Sequence, residues 1–90
     1  MGMQGDRKSF GGLAITVDVT VETSGFEGGD GSQHAVTVTT PDYSGAVVFE
    51  PADASGGTIR ITGDAELDTM IAGLEWAARR LRELAGPSPA

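Results

Sequence analysis

Residues 13–23 read Leu-Ala-Ile-Thr-Val-Asp-Val-Thr-Val-Glu-Thr, an unbroken alternation of apolar and polar side chains. Successive side chains of a strand point to opposite faces, so Leu13, Ile15, Val17, Val19 and Val21 belong to a core and Ala14, Thr16, Asp18, Thr20 and Glu22 to water. One dry face and one wet face is the pattern of an antiparallel sheet covered on one side. Working outward, a second strand is predicted at His34 to Thr40, with Val36 and Val38 inward and Thr37 and Thr39 outward. It ends at Pro41-Asp42, a pair that initiates turns. A third strand from Ser44 to Glu50 places Val47 and Phe49 inward. A fourth, from Thr58 to Thr62, places Ile59 and Ile61 inward and Arg60 outward. Glycine-rich Ser24 to Ser32 and the loop Pro51 to Gly57 connect them. Parallel neighbours need a crossover of a dozen or more residues, so these short connections make a meander.

Beyond Thr62 the apolar period changes from two to 3.6. Leu67, Met70, Ile71, Leu74, Ala78, Leu81 and Ala85 fall on one stripe, which predicts a helix from Ala65 to Leu84 lying on the sheet by that stripe. Asp64 suits an N-cap, Glu66 and Asp68 suit the positive end of the helix dipole, and Arg79, Arg80 and Arg82 suit its negative end. Gly86-Pro87 stops it. The expected fold is therefore α+β: a four-stranded antiparallel β-meander packed on one face by a single C-terminal helix, ββββα in two layers. Residues 1–9 are expected to be a flexible segment, 10–85 the domain and 86–90 a flexible tail.

Ninety residues bury only about 60–65% of the surface of the unfolded chain, which leaves one shallow core and no large enclosed active site. The absence of cysteine excludes a disulfide framework, thiol catalysis and thiolate metal sites, and favours the cytoplasm. No apolar run approaches the roughly 20 residues of a membrane span. Met1 to Phe10 lacks the apolar core of a signal peptide, and Asp6 stands where myristoylation needs Ser or Thr. Of the net charge of −7, the stretch from Asp18 to Glu75 carries eleven acidic residues against Arg60 alone. Nucleic acid is held mainly by neutralising its phosphates, and this body would repel them.

Trp76 lies about 180° around the helix from Leu67, so it is expected to face solvent, with Thr69, Ala72, Gly73, Arg80 and Glu83 on the same side. Small residues beside Trp and Arg are the composition of a contact surface, either for a homodimer through antiparallel helices or for a different protein. The alternatives are that Trp76 folds over the helix shoulder onto its own chain, or that the helix is rotated. Glu75 to Arg79 and Arg79 to Glu83 are ordinary i, i+4 pairs. A second candidate surface is acidic: Asp18, Glu22, Glu27, Asp30, Asp42, Glu50 and Asp53. Such charge can imitate phosphates before a basic groove, and it can equally serve solubility alone.

No constellation calls for catalysis, a cofactor or a metal. The loop Gly25 to Ser32 lacks the Lys-Ser/Thr ending of a phosphate loop and precedes a strand. Glu27 and Asp30 lack calcium-loop spacing, and His34 is the sole histidine. Ser32, His34 and Asp30 crowd one loop with no oxyanion partner. The expectation is a small acidic non-enzymatic protein-binding module, of inhibitor, antitoxin-like, immunity or phage anti-defence type, that blocks a larger target, nucleic-acid-handling proteins being among the candidates. Nucleic acid as its own partner is the alternative: the ββββα order resembles, in topology alone, the single-strand-binding transcriptional coactivators. That resemblance implies aromatic platforms and a positive groove, where this chain offers threonines, acids and Arg60.

Overall fold

The computed structural model describes residues 3–11, 15–25, 32–41 and 45–86. Along the chain come β1 (Gln4–Gly11), β2 (Thr16–Thr23), β3 (His34–Thr39), β4 (Val47–Asp53), β5 (Gly56–Ile61) and α1 (Asp64–Ala85). All pairing is antiparallel, in a three-stranded sheet of order β1-β2-β3 and a separate β4-β5 hairpin. The α+β class and the antiparallel pairing agree with the alternation pattern. The single four-stranded meander does not: an additional strand precedes β2, and among the described residues the last two strands pair only with each other.

β2 is the centre of the fold. Val17, Val19 and Val21 are fully buried, and Ile15 joins them in the core; Leu13 and Ala14 lie outside the described residues. Register places Phe10 opposite Val17, and Val38 and Lys8 on either side of Val19. β1 occupies a segment expected to be flexible. Its residues are polar and charged apart from Phe10, as suits an exposed sheet edge, and such a strand carries no alternating signal.

The 22-residue helix begins after Gly63, whose φ of +108° turns the chain sharply out of β5, and ends where the Gly86 N–H donates to the Arg82 carbonyl. Asp64 opens the first turn and its side chain makes no capping bond. The helix is rotated from the expected phase. Met70, Gly73, Trp76 and Ala77 face the sheet, with Leu81 and Leu84 packed beside them, while Leu67, Ile71, Leu74 and Ala78 are exposed. Steric fit over β2 accounts for this. A Cβ added at Gly73 would stand 3.0 Å from Val19 Cγ2, so the helix approaches the central valines across a residue with no side chain. A stripe of Leu and Ile could not come that close.

The hairpin leaves the body by one end. Val47 opposes Ile61 and Phe49 opposes Ile59, so all four lie on one side. At the base Val47 is buried, Ile61 is half-buried and the Thr62 N–H donates to the Ala46 carbonyl. Farther out, Phe49 and Ile59, expected in the core, are 41% and 43% exposed, because among the described residues no other element packs extensively on the hairpin. The Asp53 carboxylate accepts bonds from the Ser55 N–H and Oγ at 2.7 and 2.6 Å and tightens the turn, which extends the strands into the expected loop Pro51 to Gly57. The molecule measures 40 × 28 × 22 Å. Among the described residues no helix is long and apolar enough to cross a membrane.

Candidate functional site

Thr69, Gly73, Trp76 and Arg80 do share a helix face, as their spacing requires, but that face lies on the sheet rather than in solvent. Trp76 is 7% exposed and packs on Phe10 with ring centroids 5.9 Å apart at 60°. Gly73 is buried, and Thr69 and Arg80 are half-buried. Only Ala72 and Glu83 of the expected contact residues are open to water. An aromatic on a shallow core is worth more against Phe10 than in water, which is the physical reason for the reversal.

Arg80 closes the edge of this interface. Its Nε donates to Asp6 Oδ2 at 2.8 Å and its Nη1 to Glu83 Oε1 at 3.3 Å, which ties α1 to β1. The Arg80 guanidinium, helped by the Arg7 N–H, holds the Asp6 carboxyl below the usual carboxylate range. The pairing raises Arg80 in turn.

Of the seven residues of the expected acidic surface, Asp18, Glu50 and Asp53 are engaged inside the chain. Asp18 is buried on the open sheet face, where Ser9 Oγ donates to Oδ1 at 2.5 Å and Arg7 Nη2 to Oδ2 at 2.9 Å. These two bonds, Ser9 first, lower its carboxyl below the ordinary value. Glu50 receives Arg60 through two bonds of 2.9 and 3.3 Å, and Asp53 serves the hairpin turn, which lowers its carboxyl. Glu22 is exposed. Glu27, Asp30 and Asp42 lie outside the described residues. The open face is thus a threonine surface, with Thr16, Thr20, Thr37 and Thr39 around a neutralised Asp18.

Two shallow cavities flank α1. One of about 510 Å³ lies between the end of β1 and the first half of the helix, lined by Phe10, Asp68, Thr69 and Ala72 among others. The other, about 260 Å³, is lined by Thr23, His34, Leu81 and Arg82 among others. There His34 Nδ1 shares a 2.7 Å hydrogen bond with Thr23 Oγ1, and Nε2 one of 3.2 Å with Ser32 Oγ. Two hydroxyl groups thus meet the two ring nitrogens of His34. Among the described residues no three His, Asp or Glu side chains gather as metal ligands.

Among the described residues, the outer face of α1 carries an exposed apolar stripe. Leu67 and Leu74 are each 45% exposed and Ile71 is 40%, with Ala78 open on the next turn. These residues recur at i, i+4, i+7 and i+11, one stripe along the axis. They had been expected in the core, so the apolar periodicity was legible but its destination was not. The signal for the destination is the run Gly73, Trp76, Ala77: small residues beside one large aromatic fit a tight helix–sheet contact. No family model, curated protein or solved structure matches this chain.

Proposed function

We propose that this chain is a non-enzymatic protein-binding module whose contact surface is the outer apolar stripe of α1, joined by the exposed side of the hairpin. One observation carries this reading: α1 is apolar on two sides, and its own sheet covers only one of them. Scattered exposed apolar residues are normal, but an ordered stripe on a rigid helix marks a place where another surface docks. The stripe takes over the role first read into the Trp76 face. Inhibitor, immunity and anti-defence actions belong to this class, and they rest on size and acidic balance. The internal use of Asp18, Glu50 and Asp53 weakens a mechanism based on charge mimicry.

The test is photo-crosslinking in cells that express the chain, with p-benzoylphenylalanine replacing Ile71 or, on the open sheet face, Thr37. Covalent protein adducts from position 71 and none from position 37 support the module. Adducts from position 37 alone, or from neither, refute it.

A further inference from the structure

We infer that the partner on the outer face of α1 is a second copy of this chain, docked with its helix antiparallel about a two-fold axis. This rests on the binding-module reading and names its partner. The first ground is the symmetry of the stripe. An axis passing midway between Ile71 and Leu74 sets Ile71 of each copy against Leu74 of the other. The same axis sets Leu67 against Ala78. A two-fold interface must be self-complementary in this way, residue i meeting j while j meets i. Large residues then meet large ones at the centre, and Leu67 fills the space left by Ala78 at each end.

The second ground is charge. At about 100° per residue, Asp64, Asp68, Arg79 and Arg82 fall on one flank of the stripe, acids in the first half of the helix and bases in the last. Two-fold antiparallel packing brings the same flank of both helices together. It therefore lays Asp64 near Arg82 and Asp68 near Arg79 of the other copy, twice over. The ion pairs among the described residues use Arg7, Arg60 and Arg80, and none involves these four side chains. A parallel pair would instead set this flank against the opposite flank of the other helix, and the four charges would not meet. Glu75 lies close to the axis and meets its own copy, so Glu75→Gln is expected to tighten the dimer.

The third ground is area. The 22-residue helix is about 33 Å long and about 10 Å wide, so the helix pair alone covers about 300–350 Å² per copy. A stable interface needs about 800 Å² per partner, so surface beyond the helix has to add to it, and the exposed Phe49 and Ile59 of the hairpin are the apolar candidates. The same side is buried at the hairpin base and exposed beyond it.

The experiment is sedimentation equilibrium from low micromolar to millimolar protein, on wild type and two charge variants. One carries Asp64→Arg and Asp68→Arg and has a basic flank; the other carries Arg79→Asp and Arg82→Asp and has an acidic flank. Wild type is expected to dimerise, and each variant alone to associate at least about tenfold more weakly through like-charge opposition. Mixing the two variants is expected to restore a heterodimer, which also shows that both are folded. A monomeric wild type throughout, or a dimer indifferent to both variants, overturns the inference. In either case the photo-crosslink from position 71 to a different protein would leave the binding-module reading standing, and its absence would remove both.

Discussion

Replacing Trp76 with alanine tests where the helix points, because the two possible orientations give very different costs. A tryptophan side chain buries about 200–250 Å², worth roughly 5–6 kcal/mol of transfer free energy at about 25 cal/mol per Å². Large-to-small replacements of buried aromatics cost about 3–5 kcal/mol in practice. Trp76 is nearly enclosed and packed against Phe10, so Trp76→Ala should fall in that range. A domain of 90 residues has a total stability of about 5–13 kcal/mol, so the variant keeps a small margin or unfolds. Trp76→Phe preserves most of the volume and should cost roughly 1–2 kcal/mol, which keeps the comparison measurable. The assay is urea denaturation followed by far-ultraviolet circular dichroism, since the indole reporter is lost. Protein concentration must be low and fixed, because self-association adds to apparent stability. A cost below about 0.5 kcal/mol for Trp76→Ala, the range of surface substitutions, would refute the burial of this residue.

Gly73→Leu drives a side chain into Val19 and should cost about 1–3 kcal/mol or more in denaturant titration, whereas in Gly73→Ala a helix-propensity gain of up to about 1 kcal/mol works against the crowding. Asp6 and Asp18 have folded pKa values below the ordinary 3.8, so their contribution is complete above that value and is lost as pH falls through and below it. The melting temperature should drop over that acid range, to which Asp53 adds in the same direction, and Asp6→Asn should flatten the drop by removing one of the three groups. Phe49→Ser with Ile59→Ser should leave the monomer's denaturation midpoint within about 0.5 kcal/mol, as for exposed positions, while weakening self-association by sedimentation.

The parts of this fold that could be read from the sequence are those where one physical signal acts alone. β2 alternates without interruption because it is central and covered on one side, and Val17, Val19 and Val21 lie where that alternation puts them. β3 was legible for the same reason, although Val36, on the covered side, is left bare. β1 was not legible: an edge strand needs few apolar residues, and of its eight only Phe10 reaches the core. In the hairpin the shared side of Val47, Phe49, Ile59 and Ile61 was readable from their spacing. Its detachment from β3 was not, because alternation fixes faces and does not choose partners.

α1 shows where two signals compete. Its span and its stop at Gly86 were clear, but it carries two apolar stripes about a third of a turn apart. Hydrophobicity favours Leu67, Ile71 and Leu74 as the inner one. Packing favours Gly73, Trp76 and Ala77, since the valines of β2 leave room for a close helix and Phe10 provides a surface for the indole. The misassigned stripe is the functional candidate: large apolar residues that the chain's own core does not use.

Because the chain has no cysteine, single replacements along α1 allow the central claim to be measured by thiol labelling. Rates would be compared for Ile71→Cys, Leu74→Cys and Ala77→Cys at several protein concentrations. The two-faced helix predicts slow labelling at position 77 at every concentration, and fast labelling at positions 71 and 74 that slows as concentration rises and the second copy covers them. Fast labelling at position 77 with constant protection at 71 and 74 would contradict the account, since the helix would then face its sheet with the other stripe.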